Sequence, residues 1–390
     1  MDKYETTPDI LNVAETCAAS ISIDDLIGLC EDKDKNIEPP LKTSVKLTYG
    51  PIRGSDALRQ RLADLYSVRV ATPMLAENVL ITPGAIAANF LAFYTLLGPR
   101  DHVICVYPTY QQLYSVPESL GAEVSLWKLK KAKKYVPDLA DLDSLIKKNT
   151  KMIIINNPNN PTGATIPRSV LTGLVDRARE HNIIILSDEV YRPLFHGISP
   201  VDDEYPPSLI SMGYSRTIVT GSMSKAYSLA GIRVGWIASR NKSIIEMLAS
   251  ARDYTTISVS QIDDRIASYA LSASVLHALL RRNINLAKTN LAMLEAFIDK
   301  HDEICSWVKP TAGTTAFIKF ENDDKPVDDV RLCLDMLEKT KVMVMPGSRC
   351  FGHDKDFRGF IRFGYVCETE VLREGLARLE KYLKAEFAQL

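Results

Sequence analysis

An α/β fold is predicted, with a large domain on a mainly parallel, mixed sheet sandwiched by helices and a smaller α+β domain beside it. Three observations predict it. Between residues 78 and 236, short apolar runs alternate with helical patterns, and the runs are continuous rather than in/out alternations, as strands buried on both faces require. Polar or glycine clusters follow the ends of five of those runs, where open α/β sheets bind their ligands. Beyond residue 241 helices dominate, and a last αβ stretch supplies a second, smaller sheet. At 390 residues, 46% apolar and 24% charged, the chain has the composition of an ordered globular protein with room for two domains.

In chain order, Ser20 or Ser22 caps a helix beginning near Asp24, and a charged, proline-bearing link covers 31–40. The stretch 47–54 is turn-rich, and Ser55 caps a helix to about Ser67. Strands are predicted at 79–81, 102–107, 123–127, 151–155, 183–187, 217–220 and 232–238, with helices at 84–97, 110–120, 139–149 and 168–181 between them. Helices follow at 242–252, 261–279 and 280–301. The last portion has strands near 315–320, 342–345 and 360–363 and helices near 328–339 and 368–387. This places a large domain at 46–278 and a small domain at 1–45 plus 279–390, the N-terminal segment packing on the latter.

The formal net charge of −1 offers no field for a nucleic-acid backbone, and the lysine run at 128–134 reads as a solvated loop. The seven cysteines are dispersed without a C-x-x-C, which suggests reduced thiols and a cytoplasmic setting. The start is polar, without a signal core, and no run reaches the roughly 18 apolar residues of a membrane span. The six histidines fall in no metal-ligand spacing, so no metal is expected, and no P-loop, dinucleotide fingerprint or hydrolase elbow occurs.

The stretch 217–236 carries the densest chemistry. An apolar run breaks into Gly221-Ser-Met-Ser224 and delivers Lys225. Desolvation there lowers an ammonium pKa and suits a Schiff-base lysine, although a lysine beside a turn reads equally well as surface. Gly84 opens a helix whose first amides make an anion site fit for a phosphate, or simply a turn. Ser222, Ser224 and Arg233 can add donors to that anion. Arg233 reads as mid-strand and buried, so it needs either this anion or a structural ion pair. Asp188 ends an apolar run, and its sheltered carboxylate needs a cationic partner such as a protonated pyridine nitrogen, or a local salt bridge. Asn160 sits in a proline-fixed turn that aims its amide, and Tyr110 offers a ring to cover a flat ligand or to fill core.

In this order the residues resemble the class I/II aminotransferases, the fold-type-I pyridoxal-phosphate enzymes. The resemblance runs from about Tyr49 to Arg362 and rests on Asn157-Pro-Asn-Asn-Pro-Thr-Gly163, Ser187-Asp-Glu-Val-Tyr191 and the 222–236 stretch. It implies pyridoxal 5′-phosphate held by Lys225 as an internal aldimine, with Lys225 later moving the substrate Cα proton. It further implies Asp188 on the pyridinium nitrogen, Asn160 and Tyr191 on the ring's phenolic oxygen, and Tyr110 stacked on the ring. Gly84, Ala85, Ser222 and Arg233 would grip the phosphate. Tyr49 would reach a neighbouring subunit's phosphate, which implies a homodimer with shared sites. Arg362 would fork onto the substrate α-carboxylate. The implied activity is transfer of an amino group between an L-amino acid and a 2-oxo acid, with no nucleic-acid or membrane partner.

One region departs from the pattern. Family members usually carry a Gly-x-Pro in an N-terminal loop that closes over the substrate, whereas this chain has Asn12-Val-Ala-Glu-Thr-Cys-Ala-Ala-Ser20. Glu15 is therefore expected either to enter the site, reading a cationic group or serving as acid and base, or to face solvent. This N-terminal pattern resembles a minority of the family, such as the capreomycidine-synthase-like cyclases, so a β-eliminating lyase or cyclase is the alternative activity. A pyridoxal-phosphate-binding regulator behind a winged helix is a remote alternative, because the fold is expected to begin by about residue 10. No second arginine marks an acidic side-chain pocket, so aspartate and glutamate are not the expected substrates.

Overall fold

The computed structural model describes residues 9–31, 38–68, 70 and 72–387; the start of the chain and most of the charged link lie outside them. The chain runs β1 (Leu11–Asn12), α1 (Ile23–Gly28), α2 (Asp56–Tyr66), β2 (Val79–Thr82), α3 (Ala85–Leu96), β3 (His102–Tyr107), α4 (Gln112–Ser119), β4 (Glu123–Lys128), α5 (Leu139–Leu145), β5 (Thr150–Asn156), α6 (Arg168–Glu180) and β6 (Ile184–Asp188). It continues through β7 (Thr217–Ser222), β8 (Gly235–Ala238), α7 (Lys242–Arg252), α8 (Gln261–Ala270), α9 (Ala273–Lys300), β9 (Cys305–Trp307), β10 (Thr315–Asn322) and β11 (Lys325–Pro326). It ends with α10 (Asp329–Thr340), β12 (Val342–Met343), β13 (Met345–Pro346), α11 (Gly347–Phe351), β14 (Phe360–Gly364) and α12 (Thr369–Glu386).

Seven strands form the main sheet in the order β2-β8-β7-β6-β5-β3-β4. Its neighbours are parallel except at β8, which runs antiparallel to both β2 and β7. The continuous apolar runs have the predicted cause: side chains alternate between two buried faces. Ile81, Ile104, Ile153, Ile185 and Val219 enter one core with α2, α6 and the start of α9. Leu80, Cys105, Ile154, Ile184, Leu186 and Ile218 enter another with α3, α4 and α7.

The smaller sheet, β11-β10-β14-β13 with β9 beside β10, is antiparallel and packs with α9, α10 and α12 on a third core. The predicted helices at 261–279 and 280–301 divide differently from expectation. Ser272 begins a new helix, and α9 then runs unbroken for 28 residues, roughly 42 Å. Val275 and Leu279 lie in the first core and Leu291, Leu294 and Phe297 in the third, so one rod joins them. The predicted strand at 342–345 is two short strands in different sheets, β12 pairing with β1 and β13 with β14.

The predicted strand at 232–238 also shortens. Residues 230–232 form a 3₁₀ turn, and Arg233 follows in the left-handed region at φ 52°, so β8 starts only at Gly235. Arg233 is thereby exposed rather than mid-strand and buried. Among the described residues no helix is long and apolar enough to cross a membrane.

The N-terminal segment lies against the end of β14. The Gly364 N–H donates to the Val13 carbonyl at 2.7 Å, and a Cβ on Gly364 would sit 1.6 Å from the Glu15 carbonyl oxygen. Gly364→Ala must therefore push residues 13–16 away. The expected result is a lower Tm and faster amide exchange at residues 13–19, read by hydrogen–deuterium exchange; unchanged exchange there would show that the contact is dispensable.

Candidate active site

Five strand ends and the N-terminal segment converge on one cavity of about 480 Å³. Glu15, Ala85, Tyr110, Asn160, Asp188, Tyr191, Ser222, Lys225, Arg233 and Arg362 all line it. Gly84 stands directly behind Ala85. Of the residues expected at the site, Tyr49 alone lies elsewhere, 76% exposed on the surface.

The anion cradle is built from close approach. Gly84 caps α3 at φ 87°, a backbone state that favours glycine. A Cβ there would lie 2.7 Å from an Arg233 guanidinium nitrogen, and one on Gly235 would lie 2.3 Å from the Gly84 carbonyl carbon. These glycines bring Arg233 and the first amides of α3 together. Arg233 reaches the Ser224 hydroxyl at 3.4 Å and the Ala230 carbonyl at 2.9 Å, and the Ser224 N–H donates to Ser222 Oγ at 3.1 Å. Among the described residues no carboxylate pairs with Arg233, whose guanidinium donates to the neutral Ser224 hydroxyl and Ala230 carbonyl.

Asp188 closes β6 with 3% of its surface exposed. Burial pushes its carboxyl up to about 6, against the N–H of Val190, the Asn89 amide and Lys225, all of which favour the anion. Val190 donates to Oδ1 and Asn89 to Oδ2, each at 3.1 Å. Asn89 was not legible as a site residue in the sequence: it lies 99 positions from Asp188, in a helix whose glycine-opened N-terminus alone carried a functional reading.

Lys225 Nζ donates to Thr16 Oγ1 at 2.6 Å and reaches Cys17 Sγ at 3.3 Å and Glu15 Oε1 at 3.6 Å. The expectation that desolvation lowers its pKa is half right. Burial is the largest single influence and does push it down, but Tyr191, Cys17 and Glu15 together leave it raised. Burial holds the Cys17 thiol up at about 11 and also raises Tyr191, so at neutral pH the charged neighbour among these three is Glu15. Burial opposes the Glu15 carboxylate, yet Lys225 and the amides of Thr16 and Cys17 outweigh it and hold its pKa below the ordinary value. Glu15 thus enters the cavity; Thr16 and Cys17 enter with it, a consequence of the N-terminal departure that the sequence reading did not draw.

Arg362 is buried on β14 and lines the cavity. Its Nη2 donates to the Ala14 carbonyl at 2.7 Å and Nη1 to Asn160 Oδ1 at 3.3 Å, while Nε has no partner. An unpaired guanidinium N–H beside a cavity fits an incoming carboxylate.

A model of the family described as aminotransferase class I and II matches residues 32–379. This chain belongs to that family. It is 30% identical over 356 residues to the aspartate aminotransferase of Thermotoga maritima, covering 89% of this chain and 88% of that protein. It is also 30% identical over 334 residues to the capreomycidine synthase of Streptomyces vinaceus, covering 86% and 80%. Its structure resembles that of a PLP-dependent aminotransferase from Streptococcus suis 89-1591 with a TM-score of 0.84 and 40% identity, covering 96% of this chain and 93% of that one. The protein is a fold-type-I enzyme whose cofactor is pyridoxal 5′-phosphate. The cavity fits that cofactor: an anion cradle at one wall, a buried carboxylate lacking a cationic contact at its floor, and an amine within the same space.

The raised Asp188 carboxyl gives a signed prediction for the protein without cofactor. Its unfolded pKa is roughly 4, so ionising it in the folded chain destabilises that chain as pH rises from about 4 through about 6. Relative to Asp188→Asn, the parent should lose about 3 kcal/mol across that window and no more above it. Denaturant unfolding from pH 4 to 8 checks this, and a pH-independent difference would contradict it.

Proposed function

We propose that this enzyme transfers the amino group of an L-amino acid to a 2-oxo acid. The observation that carries the reading is the meeting of Lys225, Asp188 and the anion cradle in one cavity with the unpaired Arg362 N–H.

In this reading the first amides of α3, Ser222 and Arg233 would hold the cofactor's phosphate, and Tyr110 would pack against its ring. Asp188 would pair with the ring nitrogen, and Asn160 and Tyr191 would hold the phenolic oxygen. When bound, pyridoxal phosphate supplies the aldehyde carbon and the electron-withdrawing ring that make the substrate's Cα–H bond labile. Arg362 orients the α-carboxylate in a two-pronged grip that lysine cannot reproduce. Lys225 Nζ would then take the Cα proton and return it two bonds away, on the far side of the substrate nitrogen. Tyr191, 2% exposed, helps exclude water from that transfer.

The cavity's cationic side chains are Lys225, Arg233 and Arg362, and the proposed roles use all three. An acidic side chain therefore finds no further cation among the described residues lining it, and Glu15 repels one. We accordingly assign a neutral or basic amino acid as amino donor. Glu15 also supports a second reading, a lyase or cyclase in which its carboxylate moves a proton at the substrate's side chain; the likeness to capreomycidine synthase runs in the same direction.

A homodimer completes the picture. Ile86, Phe90 and Tyr94 form an exposed apolar stripe along α3, with Phe90 and Tyr94 stacked at 6.1 Å. Exposed Ile52, Met247 and Tyr254 add to the apolar surface, and a second copy is its proposed cover, placing Tyr49 at the neighbouring cradle. All seven cysteines are free, which suits the reducing cytoplasm as the compartment.

The test is a panel of amino acids mixed singly with the loaded enzyme in the absence of any oxo acid. The proposal expects the matching 2-oxo acid by mass spectrometry, with basic or neutral donors preferred over aspartate and glutamate. Ammonia, a displaced side-chain group or a cyclised product would instead establish the second reading. Glu15→Gln should lower kcat/KM for basic donors about 10-fold while sparing neutral ones. An equal effect on all donors would remove Glu15 from side-chain recognition.

A further inference from the structure

We propose that Asn89 is a positioning residue for Asp188: its side-chain amide, clamped by Thr220, fixes the carboxylate in one orientation and favours its anionic form.

The sheet register makes this arrangement. Asp188 on β6 and Thr220 on β7 are direct cross-strand partners. Ile184, Leu186 and Ile218 point into the core beneath α3, so residues two steps beyond Leu186 and Ile218, namely Asp188 and Thr220, point the same way. Asn89, in the second turn of α3, sits over that pair with 1% of its surface exposed. Thr220 Oγ1 donates to Asn89 Oδ1 at 2.7 Å, and Asn89 Nδ2 donates to Asp188 Oδ2 at 3.1 Å. The same amide group lies 3.4 Å from Gln112 Oε1. With the Val190 N–H on Oδ1, each Asp188 oxygen has a donor.

Packing does not ask for an amide here. Ala88, Leu91, Ala92 and Phe93 around it are buried and apolar, and leucine would match asparagine in shape. What an amide adds is direction. Held at its oxygen, it presents N–H to the carboxylate, and with the Val190 N–H on the other oxygen the two donors favour the anion, which has no proton to place between them, over the acid. The groups facing Asp188 leave this contribution room to matter. Burial and Glu189 oppose its ionisation, while Val190, Asn89 and Lys225 favour it; Tyr110 and Tyr191 face it as neutral phenols.

The consequence for cofactor retention rests on the reading of Asp188 as the ring nitrogen's partner; the orientation itself does not. The two are separated by working first without cofactor. Aspartate carboxyl carbons are labelled with carbon-13, the Asp188 signal is assigned by its loss in Asp188→Asn, and its titration is followed by NMR in the parent, Asn89→Leu and Thr220→Val. The expected result is a midpoint raised by about one unit or more in Asn89→Leu and by less in Thr220→Val. Pyridoxal phosphate affinity, from fluorescence titration of the same proteins, should fall about 10- to 100-fold in Asn89→Leu.

An unchanged Asp188 midpoint in both variants overturns the proposal, even if Tm falls, because lost packing would then be the only effect. If Asn89→Leu does not fold, Thr220→Val decides alone. A raised midpoint with unaltered cofactor affinity supports the positioning role and contradicts the role assigned to Asp188.

Discussion

A carboxylate buried at the end of a parallel strand constrains this structure more than any other feature. Asp188 has almost no water and no contacting cation, and its pKa rises to about 6 accordingly. Such a group is costly in an apolar core and persists only where donors surround it or a charged ligand arrives. Both conditions are built in. The donors come from Val190 and Asn89, and the open cavity lies above. The site is poised for a cation because the fold leaves an anion waiting.

The same period-two alternation that builds the sheet builds the site. Along β6, even-numbered residues lie under α3 and Ile185 faces the opposite core. Asp188 continues the even series, so it emerges beside the helix whose N-terminus bears Gly84 and whose second turn bears Asn89. One helix thus reaches the cavity twice, its N-terminus beside Arg233 and its interior amide at the Asp188 carboxylate. The long helix α9 ties this core to the smaller sheet, and β14 of that sheet delivers Arg362 across the cavity.

Much of this was legible in the sequence because it is local. Continuous apolar runs marked the buried strands, and the polar clusters after them fall around one cavity, since strand ends in such sheets share an edge. What failed was conformation set by neighbours. The apolar run from Ile232 looks like one strand, yet Arg233 turns left-handed to reach the cradle. The rise of the lysine pKa was hidden because its acidic companions are set by the fold, Tyr191 from the turn after β6 and Cys17 and Glu15 from the N-terminal segment, more than 200 positions away. Asn89 was illegible for the same reason: an asparagine in an apolar helix acquires meaning only when the β6–β7 register places Asp188 and Thr220 beneath it. Glu15 was visible only as a departure from a pattern, and its place beside Lys225 required the fold.

All the chemistry proposed for this site depends on Lys225 being the amine that holds the cofactor. Borohydride reduction of the loaded enzyme, followed by proteolysis and peptide mass mapping, tests it directly. The expected result is the reduced pyridoxyl-phosphate mass on Lys225, at one per chain. Finding it on any other lysine, or on none, would contradict the assignment and the chemistry built upon it.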